Sequence, residues 1–352
     1  MNSHKLIILT FYGTNFAFDD YVFQNRRDTR MLLNSLQTNL HISEPSQHTE
    51  ILNDWALTYD QLSVGKFESQ LREVSFEGIQ IYQEKIKPST FQRGEGLKNS
   101  LCLGLFSDLD HPALWMGKAV TGHEILSVFD GGDILLRSPE NCSFYSLTVP
   151  FELLCSQHAD LATSDYANLL DTQSSDQFHA AYLKIFNHIL QNPYILENST
   201  ARKQLKSDVL AVTERFVQTF GHNKVTSKIS TKRAKNVVLT ACDMMQANNQ
   251  EFQSIEELCN ITHTSRRTLQ NCFELITGQS PAAFMKTLRL NAVKRVLTDH
   301  SCTSKVIADV AMDWGFWHLS QFAADYKKLF GESPSQTVIN HGLANKISKQ
   351  CS

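Results

Sequence analysis

Apolar and polar positions divide this chain into stretches of different period. An apolar run at Leu6–Phe11 fits a first strand. The charged patch Arg26–Arg30 and the polar stretch His41–Glu50 show no period, so residues 1–50 are expected to form an irregular arm. Ile51–Leu62 puts Trp55, Tyr59 and Leu62 on one face of a predicted helix. From Phe67 to Tyr82 apolar and polar residues alternate about a turn at Glu77-Gly78, which marks half-buried strands. Further strand-like runs follow at Leu101–Phe106, Leu114–Val120, Ile125–Phe129, Ile134–Arg137 and Phe144–Val149. Turn signals at Asp110-His111-Pro112, Gly122, Gly131-Gly132-Asp133 and Ser138-Pro139 separate them. Residues 51–158 are therefore expected to form a β-rich region, a small barrel or sandwich.

Beyond Pro150 the period becomes helical. Phe178, Tyr182, Ile185, Phe186 and Ile189 form one stripe, ended by Pro193. A second stripe runs Leu205, Val209, Val212, Phe216, Phe220, with Ser199 as its expected N-cap and Gly221 as its stop. These helices over 159–221 either pack on the β-rich region or pair between subunits of a homodimer. Residues 222–231 are polar and aperiodic and read as a linker.

In residues 232–338 a helical pattern occurs twice. An opening helix is predicted from Lys232 to about Ala247. Then Leu269, Phe273 and Ile276 recur 53 residues later as Phe322, Tyr326 and Leu329, and Gly278-x-Ser280-Pro281 recurs as Gly331-x-Ser333-Pro334. Each copy reads as helix, tight turn, second helix, the turns lying at Thr262–Thr264 and Asp313-Trp314-Gly315. Pro281 to about Leu297 is a predicted helix of roughly 25 Å joining the copies, a rigid spacer of the order that lets two recognition helices enter successive major grooves about 34 Å apart. Residues 339–352 form a tail.

The second helix of copy one carries Arg266, Arg267, Gln270 and Asn271 opposite its apolar stripe. Arginine pairs bidentately with guanine, and asparagine or glutamine with adenine, so these side chains suit base readout in a major groove. The matching positions in copy two are Leu319, Ser320, Ala323 and Ala324. Base readout there reduces to Ser320 and Gln321, while Ser265, His318, Lys327 and Lys328 are assigned to the DNA backbone. Trp314 and Trp317 are expected in the core.

Charge supports this division. Residues 226–352 carry 15 Lys+Arg and 10 Asp+Glu, net +5, and the remainder 18 and 26, net −8. The eight cysteines show no C-x-x-C pair and no metal-ligand spacing, so no metal site is expected and they read as cytoplasmic thiols. Leu6–Phe11 is too short to span a bilayer. The sequence contains no nucleophile elbow or phosphate loop, and Arg93-Gly94-Glu95-Gly96 lacks a third glycine, so an enzyme is not expected. An effector, if bound in the β-rich region, would meet Trp55, Tyr59, Phe67, Tyr82 and Trp115. An effector-independent DNA-binding protein or anti-activator is the alternative.

The C-terminal hundred residues resemble the AraC/XylS class of bacterial transcription regulators. The likeness lies in Leu258, Ser265–Leu269, Phe273, Gly278-x-Ser280-Pro281, Arg289-Leu290, Ile307-Ala308, Gly315-Phe316, Gln321-Phe322 and Phe330-Gly331-x-Ser333-Pro334. A narrower resemblance, to ethanolamine-operon regulators, lies in Ser265–Asn271, Arg289–Val293, Ala311–Phe322, Trp55, Tyr59–Leu62, Gly65–Phe67 and Ile79-Gln80. It implies ethanolamine together with adenosylcobalamin as effector, with no cofactor otherwise required. The fold class implied is α+β: a β-barrel-like (cupin-like) sensor region with helices, then an all-α domain of two helix-turn-helix units. Double-stranded promoter DNA and RNA polymerase are the implied partners.

Overall fold

The computed structural model of the protein describes residues 8–10, 35–52, 55–154, 168–170, 175–220, 229–247, 254–299 and 306–340. The chain runs β1 (Ile8–Thr10), β2 (Ser35–Ile42), α1 (Pro45–Ile51), β3 (Ala56–Gln61), β4 (Ser69–Phe76), β5 (Ile79–Ile86) and β6 (Thr90–Glu95). It continues through β7 (Ser100–Phe106), β8 (Ala113–Trp115), β9 (Lys118–Val120), β10 (Ile125–Phe129), β11 (Asp133–Arg137), β12 (Cys142–Pro150) and β13 (Asn168–Leu170). The helices that follow are α2 (Ser175–Gln191), α3 (Ser199–Phe220), α4 (Ile229–Ala247), α5 (Ile255–Ile261), α6 (Arg266–Thr277), α7 (Pro281–Thr298), α8 (Ile307–Asp313) and α9 (Leu319–Phe330). Most of the 1–50 arm, most of the 222–231 linker, the Asn248-Asn249 turn and nearly all of the tail lie outside the described residues.

The strands form two sheets, β1-β2-β4-β5-β12-β7-β10-β13 and β3-β6-β11-β8-β9. Among the described strands no pair joins one sheet to the other, so the expected cupin-like barrel is not closed: two open sheets face each other. A barrel needs a strand bonded into both sheets. Here β6 spends its two edges on β3 and β11, and β12 spends its own on β5 and β7. The bend at Lys87-Pro88-Ser89 carries the chain from the larger sheet to the smaller without pairing β5 to β6.

Four layers result. Leu71, Tyr82, Phe106 and Phe144 of the larger sheet meet Leu57, Tyr59, Trp115 and Leu136 of the smaller one in a common core. The far face of the larger sheet, with Ile81, Leu103, Leu105 and Leu147, lies under Tyr182, Phe186, Val209 and Phe216 of α2 and α3. The described residues of the two helical stripes thus pack, buried or half-buried, against the sheet of the same chain. On the other side, the core of the sheets runs on into Val238, Leu269, Phe273, Phe284 and Leu288 of α4, α6 and α7.

Several local expectations change. The polar stretch after His41 contains α1, whose start carries a capping box between Glu44 and Gln47. Ile51–Leu62 is not a helix; only Ile51 ends α1, and Ala56–Gln61 is a strand. Because β3 is covered on both faces, its side chains carry no clean period of two, and pairing with β6 overrides the weak helical spacing. β6, around Arg93-Gly94-Glu95, was not anticipated. At α3 the cap is Asn198 rather than Ser199, since its Oδ1 accepts from the backbone N–H groups of Thr200 and Ala201 at 2.9 and 3.1 Å. The opening helix α4 begins at Ile229, three residues before Lys232.

Candidate nucleic-acid interface

Each copy of the repeat is built by the same local chemistry. Ser254 caps α5 and Ser265 caps α6, each hydroxyl accepting from the backbone N–H three residues on. The repeated Gly-x-Ser-Pro tetrad is a stop and a start. Gly278 and Gly331 end α6 and α9 in the left-handed conformation, at φ 70° and 72°. Ser280 then caps α7 with Pro281 in its first turn, and Ser333 exchanges hydrogen bonds with Gln336.

The copies are not in one constant register. α6 and α9 are related by 53 residues, α5 and α8 by 52. The left-handed turn residues, His263 and Gly315, follow the shorter offset. Copy two therefore has one more residue between its turn and its second helix, in the segment that holds Trp317. This accounts for a failed expectation: Trp317 is 66% exposed, whereas Trp314 packs half-buried against the copy-two core.

On α6 the stripe Leu269, Cys272, Phe273, Ile276 is buried. Arg266, Arg267 and Asn271 are exposed and Gln270 is half-buried. Arg266 pairs with Glu256 at 2.7 Å, and Gln270 donates to Glu274 at 2.5 Å. The Ser265 hydroxyl is occupied by capping. On α9 Phe322, Tyr326 and Leu329 are buried, but Leu319 is 40% exposed, because the first turn projects past the core. His318, Ser320, Gln321, Lys327 and Lys328 are exposed. Next to the first turn, Lys232, Arg233, Asn236 and Thr262 line an open groove of about 470 Å³. These two cations were not singled out from sequence; their adjacency at the start of a helix was the available signal.

The joining helix α7 is the most constrained part of the interface. Asn291, buried on α7, accepts from the Gln61 N–H and donates to the Gln61 carbonyl, both at 2.9 Å. The Gln61 amide in turn donates to the carbonyls of Ser63, Gly65 and Leu329, so β3 touches the end of α9 as well. Arg295 reaches Asp60 at 2.7 Å, and Lys294 bridges Glu44 and Glu332 at 3.0 and 3.2 Å. Burial raises the Glu332 pKa, but the Thr337 hydroxyl, the Lys294 ammonium and the Asn340 amide outweigh it and hold the carboxyl below its ordinary range. None of these pairings was anticipated.

Between the sheets, the five side chains suggested for an effector, Trp55, Tyr59, Phe67, Tyr82 and Trp115, all lie buried in one core. Trp55 meets Tyr82 edge-on at 6.1 Å. Tyr59 stacks on His48 at 4.7 Å, and His48 Nδ1 stands 2.7 Å from Glu84. Burial first, and then Glu84, push the Tyr59 hydroxyl well above its usual pKa. Among the described residues the Trp115 indole N–H has no hydrogen-bond partner. Among the described residues no group of three or more His, Cys, Asp or Glu is placed to hold a metal ion. No helix among them is long and apolar enough to cross a membrane.

A family model described as a helix-turn-helix domain matches residues 258–338, from α5 past the end of α9. Over 108 residues the chain is 32% identical to the XylDLEGF operon transcriptional activator 2 of Pseudomonas putida, covering 31% of this chain and 69% of that protein. The chain belongs to the AraC/XylS family of transcription regulators. Its likeness to another family member, the XylDLEGF operon transcriptional activator of Pseudomonas putida, is 36% over 85 residues, 24% of this chain and 26% of that one. The chain thus spans about a quarter of the length of the first curated relatives it matches. Among solved structures, a probable AraC family transcriptional regulator from Rhodopseudomonas palustris CGA009 is 34% identical, with 30% of this chain and 97% of that chain covered at a TM-score of 0.28. The family model leaves the two sheets outside its match.

Proposed function

We propose that this chain is a DNA-binding transcription activator controlled by a small-molecule effector. The observation that carries the DNA-binding part is α6, whose hydrogen-bonding side chains stand on the face opposite its buried stripe, in a helix-turn-helix unit. Arg266, Arg267, Gln270 and Asn271 read base edges there. Ser320 and Gln321 contribute from α9, and Ser265, His318, Lys327 and Lys328 meet the backbone. Arg267→Ala and Asn271→Ala should each weaken specific relative to nonspecific binding by about 1–3 kcal/mol, measured by gel shift at fixed salt. An unchanged ratio for both variants would remove α6 from the reading role.

Control by an effector is supported by the way two elements face both ways. β3 carries Tyr59 into the space between the sheets and Asp60 and Gln61 onto α7. α1 carries His48 inside and has Glu44 at its start, against Lys294. A ligand that shifts Tyr59 or His48 thereby shifts the frame that holds both DNA-binding units. The effector proposed is ethanolamine with adenosylcobalamin, on the strength of the sequence strings shared with ethanolamine-operon regulators, and the bound state recruits RNA polymerase. A thermal-shift titration of the full chain with both compounds should raise Tm. If neither compound, alone or together, moves it, the effector is another molecule.

A further inference from the structure

At three of the four readout positions of α6 the matching side chain on α9 is apolar, Ser320 being the exception, but what α9 presents there is not blank. The positions of Arg266, Gln270 and Asn271 are taken on α9 by Leu319, Ala323 and Ala324. Leu319 and Ala324 are exposed and Ala323 is half-buried. Trp317, more exposed than Leu319, stands two residues before the helix in the lengthened turn. An exposed leucine and an exposed tryptophan at the leading end of a recognition helix are costly in water unless something apolar covers them.

In a major groove the apolar feature on offer is the thymine C5-methyl, which alanine and larger apolar side chains contact directly. The surroundings favour a nucleic acid over a protein: Ser320 and Gln321 are exposed in the same first turn, and Lys327 and Lys328 lie exposed two turns on. His318 stands at the N-cap of α9, where among the described residues its side chain makes no capping hydrogen bond. We propose that α9 recognises thymine through its methyl group, with Leu319 and Ala324 as the specificity-determining contacts and Trp317 shielding them from water. The chain then reads its two half-sites with a different balance of physics, hydrogen bonds under α6 and, beside Ser320 and Gln321, methyl burial under α9. This inference rests on the DNA-binding reading above and deepens it.

The test uses the full chain and a duplex recovered by in vitro selection from random sequence. Each thymine of that duplex is replaced in turn by deoxyuridine, which removes only the methyl group. One or more replacements should weaken binding about fourfold, the worth of one buried methyl. The same replacements should have no effect on Leu319→Ser or Ala324→Ser, which alter exposed positions and leave the core of α9 intact. Ala324→Asn should move the preference at its base pair from thymine to adenine. If no thymine is coupled to either serine variant, the inference is overturned. It is equally overturned if coupling is absent while the serine variants abolish reporter output, since the apolar face then holds a protein. Should the full chain select no sequence at all, the DNA-binding reading itself fails, and the two failures are thereby distinguished.

Discussion

At Glu332 one carboxylate ties three parts of the second unit together. It accepts from the Thr337 hydroxyl at 2.7 Å, meets Lys294 of α7 at 3.2 Å and is reached by the Asn340 amide at 3.1 Å. Its folded pKa lies below the unfolded one, so its stabilising contribution is complete above the unfolded value of about 4.3 and is lost as pH falls through the folded value. Glu332→Gln should therefore lower Tm at neutral pH and make no difference in strong acid. Tm measured against pH checks this, and parallel curves for the two proteins would exclude the role. The same lysine also meets Glu44, which neighbours α1 far away in sequence. A lone Glu or Lys in a sequence carries no sign of such a partner. By contrast the placement of Arg266, Arg267, Gln270 and Asn271 off the buried stripe of α6 was legible at once, because residue type and helical spacing are both local properties.

Among the elements, α7 decides how the two recognition helices stand to each other. It is amphipathic on neither side, since Phe284, Met285, Leu288 and Leu290 to Lys294 are all buried. It lies between the sheet, at β3, and the second unit, at α8 and α9. Asn291→Leu fills similar space but leaves the Gln61 N–H and carbonyl without their partner. The expected cost is about 1–3 kcal/mol, read from the urea unfolding midpoint. A midpoint that does not move would mean that water or a neighbour satisfies Gln61. The start and length of α7 were legible in Pro281 and the apolar spacing. Its burial on two sides was not, because a helix that packs on two sides has no single polar face to reveal which side is inward. For the same reason the periodicity misassigned β3, while the hairpin β4–β5, though also covered on both faces, was placed by its turn at Glu77-Gly78 and the alternation in β4.

Across the whole molecule the boundary between units does not follow the repeat. α4, α6 and the first half of α7 share a core with both sheets, whereas α8, α9 and the second half of α7 have a core of their own. Amide hydrogen exchange should show α4 and α6 opening together with β3, β6 and β11, and α8 and α9 opening separately at lower free energy. Equal protection of both helix-turn-helix units, with the sheets independent, would contradict this. From the sequence alone came the twofold helix-turn-helix pattern, its turns, the hairpin about Glu77-Gly78 and most of the strands. These depend on residues within a turn or two of one another, where period, capping and turn chemistry act directly. Tertiary structure alone decided that the sheets stay open, that Trp317 stands exposed in a lengthened turn, and that Asn291 binds Gln61 across 230 residues of chain. Such contacts depend on which surfaces meet once each element has formed, and no neighbouring residue records that.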